Sequence, residues 1–410
     1  MDTVALTSEI ESALEQLARK LPNDMRADDV PVEFREAMLE HELSLDIQTL
    51  LEAQSEFASP RMVNSLSGAT GFQPPFVAPM LLREARHRQS SEAAVAWLQK
   101  VLNTERAEGI AVETFWGFTP TESKALSDDV QLVPFSSLPP SRQKLALSEP
   151  RFDSSPRLAA PVFTWQAPTA ALVRPAVIQP YLRNAGDNFQ WDKGGAYSAL
   201  FSDVRLCLVT SGPAAIVRGP GWFQYADPDL ESARLGSGTY QTHQEITPLT
   251  MDCNSRLDVA QAATLFGQLV KLNAGQKNKA RTAMQRLGLA CLRRWPADRA
   301  LELAIALEAL LVDSSGENTF KIGLRAALLT ASDLESRRRC RAIIEAMYGI
   351  RSSLMHSGQT KDICIVRGYG KLQTSEVVSE ALRITALVIQ RMIRLGAPPD
   401  WSILELSSPV

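Results

Sequence analysis

The sequence predicts an α+β chain, in which a mixed helical and β-rich N-terminal region is followed by a C-terminal all-α bundle. Three observations carry this. Apolar residues recur at helical spacing through residues 1–58, and again from about residue 255 onward. Between these stretches prolines crowd in at 134, 139, 140, 150, 156, 161, 168, 175 and 180, a density that argues against long helices. Charge divides along a similar line. Residues 1–254 carry 21 Lys and Arg against 32 Asp and Glu, whereas residues 255–410 carry 22 against 14. A chain of 410 residues is long for one domain. The expected divisions are a helical segment at 1–90, a mostly β region at 91–250 and a helical domain at 251–410.

The elements follow in order. Ile10, Leu14, Leu17 and Leu21 form one helical stripe, continued by Phe34, Met38, Leu39, Leu43, Ile47 and Leu50. Residues 59–90, with GFQPPF at 71–76, read as loop, and residues 93–102 as a short helix. Residues 110–116 and 130–135 read as strands, and 201–210 (FSDVRLCLVT) and 214–225 also as extended chain. Beyond 255, helices are expected at 257–272, 277–294, 301–312, 320–330 and 375–395. The first of these turns Val259, Ala262, Ala263, Phe266 and Val270 inward. Asp298 is an N-cap or first-turn carboxylate, and residues 313–318 form a turn. Residues 301–312 are apolar on nearly every face and make a central buried helix. A further helix starts at a cap, Ser332 or Asp333, and runs toward His356.

Composition narrows the function. The five cysteines are widely spaced with no C-x-x-C, which fits a reducing, cytoplasmic setting and predicts neither a zinc site nor a disulfide framework. The N-terminal MDTVALTSEIESALEQ lacks the pattern of a signal peptide, and no apolar run is long enough to span a membrane. Gly219-Pro220-Gly221 and Gly236-Ser237-Gly238 lack the Lys-Ser/Thr of a phosphate-binding loop. His243, Asp252 and Cys253 lack metal-ligand spacing, and no cofactor is implied. Trp116, Trp165, Trp191 and Trp222 read as core. The basic C-terminal half fits an anionic ligand, or equally an attraction to the acidic half.

The residues that point to chemistry lie at 348–358, YGIRSSLMHSG. Arg351 is a permanent cation that can fork onto a phosphate. Histidine is the side chain that gives and takes a proton near neutrality. Of the four histidines, only His356 sits in such a setting. On a straight helix a separation of five places Arg351 and His356 about 140° apart, so they do not share a face. Either the helix bends or ends here, with Gly349, Ser357 and Gly358 as agents, or two protomers assemble the site.

With LELAIALEALLV at 301–312, FKIGLRAALL at 320–329 and the arginines at 337–341, this order resembles the HEPN superfamily, and within it the Apea-like HEPN domains. The resemblance covers residues 255–396. It implies a helical HEPN bundle, a homodimer that pairs R-x4–6-H motifs in one cleft, and metal-independent cleavage of RNA. The 2′-hydroxyl would attack the adjacent phosphate to give a 2′,3′-cyclic phosphate. His356 would be the acid or base, Arg351 the phosphate holder, and Ser352 the family's polar second position. The resemblance further implies an anti-phage, toxin-like effector, with the acidic N-terminal region as sensor or restraint for an unknown trigger.

Glu308 sits in the apolar helix and needs a partner if buried, and Arg325 on the next helix is the natural candidate. Arg337, Arg338 and Arg341, with Arg339, form a cluster that either tracks an RNA backbone or is a solvated face. No aromatic interleaves it, so base stacking is not expected there. The rival reading is a catalytically inactive HEPN dimerisation or RNA-binding module, with the function carried by the N-terminal region.

Overall fold

The computed structural model describes residues 1–20, 32–66, 68–148, 167–187, 192–234, 257–312, 318–359 and 361–406. Leu21, Trp165, Trp191, Gly236, Gly238, His243, Asp252, Cys253 and the turn at 313–317 lie outside these. The architecture is mixed α and β, with a helical C-terminal region.

At the N-terminus, α1 (Thr3–Lys20) buries Leu6, Ile10, Ala13 and Leu17, with Leu14 of the expected stripe half-buried, and α2 (Val32–Leu43) and α3 (Leu45–Glu52) follow. Residues 59–90 are not loop. They form the antiparallel strands β1 (Arg61–Asn64) and β2 (Ala69–Phe72), then α4 (Pro74–Arg88). The Pro-Pro pair opens this helix, because a first-turn residue has no intrahelical partner for its N–H and loses nothing by lacking one. α5 (Ser91–Asn103) is capped by the Ser90 hydroxyl, which accepts from the Ala93 N–H at 3.1 Å.

The middle region holds β3 (Ala107–Trp116), β4 (Lys124–Ala125), β5 (Gln131–Pro134), α6 (Arg142–Ser148), β6 (Ala170–Ile178), β7 (Leu182–Asn184), α7 (Asp192–Ser211), β8 (Val217–Tyr225) and α8 (Pro228–Ser232). β7 joins β1 at the edge of the small sheet, and the larger antiparallel sheet runs β4-β5-β6-β3-β8. Val112 of β3, which is flanked by β6 and β8, stands opposite Val173 and Trp222. Trp116 and Trp222 are core, as expected.

Residues 201–210 correct the sequence reading: they belong to helix α7. Phe201, Val204, Leu206, Cys207, Leu208 and Val209 are all buried, so the helix has no single apolar stripe and periodicity cannot tell it from a strand. α7 packs against the C-terminal helices. Asp203 receives Arg281 through Nε at 2.6 Å and Nη2 at 2.7 Å.

The C-terminal region comprises α9 (Val259–Leu269), α10 (Ala274–Leu292), α11 (Pro296–Leu311), α12 (Asn318–Thr330), α13 (Leu334–Ser357), β9 (Ile363–Val366), β10 (Gly370–Gln373), α14 (Thr374–Leu395) and α15 (Trp401–Leu406). α11 is central, packed on α10, α12, α13 and α14. Its Glu302 is 4% exposed and is held by Arg286 at 3.0 Å and Arg293 at 2.9 Å. Asp298 lies in its first turn. In α9, Ala262 and Phe266 are buried as expected and are joined by Leu265 and Leu269, whereas Val259 and Ala263 are half-buried and Val270 is exposed.

The expectation of a purely α bundle fails at one place. A hairpin, β9–β10, stands between α13 and α14. Ile363, Ile365 and Val366 favour extended chain, and Gly368 and Gly370 each hold φ of 82°, which only glycine enters without strain. One hydrophobic core runs from Leu6 through α7 to Trp401, and a second small cluster around Val112, Phe135 and Trp222 covers the outer face of the sheet. No described helix is long and apolar enough to cross a membrane.

Candidate active site

α13 carries the whole of the motif. Its first turn is fixed by Asp333, whose carboxylate accepts from the Ser336 N–H at 2.8 Å. It ends at Gly358, in the left-handed conformation at φ 65°, whose N–H reaches the Leu354 carbonyl at 3.0 Å. Between these ends the helix is unbroken, so it neither bends at Gly349 nor stops before His356. Arg351 and His356 therefore point about 140° apart within one protomer.

Arg351 faces α11. Its Nη1 donates to Glu308 Oε1 at 3.2 Å, and the same oxygen lies 3.2 Å from the Tyr348 hydroxyl, which also reaches the Ala304 carbonyl at 3.4 Å. Arg351 and Glu308 are each about one-third exposed, so the pair stands at the edge of the core. Burial, and then the Glu308 charge, push the Tyr348 phenol far above its ordinary value, which keeps it a donor. The Arg351 Nε is buried with no hydrogen-bond partner among the described residues, and Nη1 alone of the guanidinium nitrogens bonds to them. The arrangement can hold a cation at a fixed place while leaving part of its fork for an anion.

His356 and Ser352 face outward. Both are exposed, and neither has a hydrogen-bond partner among the described residues. His356 lies in the last turn of the helix, one turn beyond Ser353.

Arg325 does not partner Glu308. It is 4% exposed, donates from Nε to Glu405 at 2.8 Å and from Nη1 to the Leu311 carbonyl at 2.6 Å, and lies 4.6 Å from the Trp401 ring centroid. It locks α12 to α15 and to the end of α11. The sequence order suggested the wrong mate because α13, though later in the chain, passes closer to Glu308 than α12 does.

The arginine cluster is mostly occupied. Arg337 donates to the Ala331 carbonyl at 3.1 Å, Arg339 grips Glu380 through two bonds at 2.8 and 2.7 Å, and Arg341 bonds Glu345 at 2.7 Å. Arg338 is exposed and has no ion-pair partner among the described residues. Aromatic rings absent from the local sequence are supplied by the fold. Phe320 of α12 lies 4.5 Å from Arg341, and Tyr369 of the hairpin lies 5.2 Å from Arg339.

Beside α13 a groove of about 670 Å³ opens toward the hairpin, with Gly349 and Ser353 on one wall and Lys361, Ile365 and Lys371 on the other. A second hollow of about 490 Å³, around Arg338 and Tyr369, shares Ala342, Glu345 and Arg367 with it. Among the described residues no group of three or more histidine, cysteine, aspartate or glutamate side chains is placed to hold a metal ion.

No family model matches this chain, and no match was found among curated proteins or solved structures. The site therefore rests on its own residues. Sequence reasoning missed Tyr348 as the bridge to Glu308, although its spacing of three from Arg351 places both on neighbouring helix positions. It also missed the hairpin cations, for which the short apolar run at 363–366 and the glycines at 368 and 370 were the available signal.

Proposed function

We propose that the C-terminal region is a HEPN-type endoribonuclease that acts as a homodimer. The observation that carries this reading is the split of the motif over an unbroken helix, with Arg351 anchored by Glu308 and Tyr348 on one side and His356 bare on the other. A two-fold axis beside α13 would bring one protomer's Arg351 within reach of the phosphate served by its partner's imidazole, as isologous interfaces allow. The exposed apolar side chains Met355 and Ile363 lie at this end of the helix and hairpin and suit such an interface.

The reaction is a transesterification. The ribose 2′-oxygen forms a bond to phosphorus, its proton passes to a base, and the bond from phosphorus to the 5′-oxygen breaks. That oxygen leaves with a proton from an acid. His356 of one protomer serves as one of these groups, and solvent water takes or gives the other proton. Arg351 neutralises the charge that builds on the non-bridging oxygens. Ser352 contributes at most a hydrogen bond to the phosphate.

The competing reading is a binding or dimerisation module. It draws on one feature, that no side chain orients the His356 ring among the described residues. RNA cleavage in EDTA by wild type and His356→Ala, with end-group analysis, separates the two. The nuclease reading predicts 2′,3′-cyclic phosphate and 5′-hydroxyl ends from the wild type, lost in the variant. A wild type that binds RNA but leaves it whole would favour the module.

A further inference from the structure

From the groove between α13 and the β9–β10 hairpin we infer a dedicated seat for single-stranded RNA, one that leads the strand toward His356. The inference deepens the nuclease reading, on which only its direction toward His356 depends.

Four cations line the two connected hollows without an ion-pair partner among the described residues: Arg338, Lys361, Arg367 and Lys371. The two acidic side chains present are already engaged, Glu345 by Arg341 and Glu335 by the Tyr369 hydroxyl at 2.7 Å. Four unpaired cations against the single remaining negative charge of Glu335, whose hydroxyl partner is neutral, leave the concave surface positive, and this favours an anion. Its spread along α13, from Arg338 to the level of Ser353, covers about 22 Å at the rise of an α-helix. That length fits a polyanion rather than a single phosphate group.

The aromatic rings choose among polyanions. Tyr369 lines the second hollow and is backed by Arg339, and Phe320, 47% exposed, lies outside the lining but against Arg341, which belongs to it. A ring set in one hollow with unpaired cations, here Arg338 and Arg367, is the arrangement on which unpaired bases stack. A duplex hides its base faces, and an acidic peptide has none to offer. The floor of the groove between the cations is small or apolar, with Ala342, Ala346, Gly349 and Ile365, so a ribose passes without meeting buried charge. A Cβ at Gly349 would meet nothing within 4 Å, so the space above it is open. One turn past Ser353 the same helix presents His356.

The test uses the full chain carrying His356→Ala, which separates binding from cleavage. Its affinity for a short fluorescein-labelled oligouridine is measured by anisotropy across a salt series, alone and with Lys361→Gln/Lys371→Gln or Phe320→Ala added. The lysine pair should weaken binding on the order of tenfold and reduce the salt slope by about 0.7 for each phosphate contact removed. Phe320→Ala should weaken the single strand and leave a duplex of the same length unchanged. Unaltered binding in the lysine variant would overturn the proposal. So would competition by poly-glutamate as strong as that by oligouridine, since the groove would then be a surface for acidic protein. Tight, lysine-dependent binding by a wild type that cleaves nothing would leave the seat standing and remove the nuclease.

Discussion

Charged residues are used in opposite ways at the two ends of this molecule. In the N-terminal region they are spent on one another. Glu113, with no exposed surface, lies on β3 between Arg205 and Arg218, the latter 2.6 Å from Oε2. Asp229 of α8 takes Arg88 at 2.5 Å and Lys100 at 2.8 Å, tying α4 and α5 to α8. On the α13–hairpin face, by contrast, Arg338, Lys361, Arg367 and Lys371 lack ion-pair partners among the described residues. Paired charges report how the chain holds itself together. Unpaired ones predominantly of one sign, set in a groove, report what it is built to meet. Net charge by region, which first suggested an anionic ligand, was the coarser version of this difference.

The comparison can be broken at several points. The largest effect is expected at the motif itself, where His356→Ala should reduce RNA cleavage by about 10²- to 10⁴-fold without a change in melting temperature. A fall in cleavage that tracks a fall in stability would place His356 among structural residues. Next comes Glu113→Ala, which strands two arginines at a buried site and should cost about 3–5 kcal/mol in denaturant unfolding. A loss below about 1 kcal/mol would mean that the pairing there is ornamental.

Asp229 sharpens the contrast through pH. Burial alone would raise its carboxyl, but hydrogen bonds from Arg88 and Lys100 outweigh that and hold it below the ordinary value. A depressed folded-state value contributes stability that is complete above the unfolded-chain value near 3.8 and is lost as pH falls through the folded one. Asp229→Asn should therefore cost about 1–2 kcal/mol at neutral pH and flatten the loss of stability below about pH 4, as followed by urea unfolding. The smallest effect is expected in the groove. Lys361→Gln and Lys371→Gln should shift stability by no more than about 0.5 kcal/mol, because nothing in the fold leans on them.

Much of the C-terminal helical region was legible because its helices are amphipathic and carry caps, as Asp333 and the stripe of α14 show. α7 was not, because burial on every side erases the stripe from which a helix is read. The Pro-Pro start of α4 was misread as a break, since composition marks proline as a breaker and only position makes it an opener. At the site, the motif residues could be named from spacing alone, but their mates could not. Glu308 meets Arg351 and Tyr348, and Arg325 meets Glu405, through packing that local sequence does not encode. α7 also changes how the acidic region can be tested as a restraint. Deleting residues 1–250 would strip α9 and α10 of the helix that covers them, so charge reversal on the intact chain is the cleaner probe.

The most direct test of a site divided between the two sides of α13 is complementation. Arg351→Ala and His356→Ala chains, each inactive alone, are mixed under conditions that exchange subunits, and RNA cleavage is measured against the extent of heterodimer formed. A shared site predicts that cleavage returns in proportion to the mixed dimer, since one cleft then holds an intact arginine and an intact histidine. Mixed dimers that form and remain inactive, or a monomer that cleaves at the wild-type rate, would contradict it.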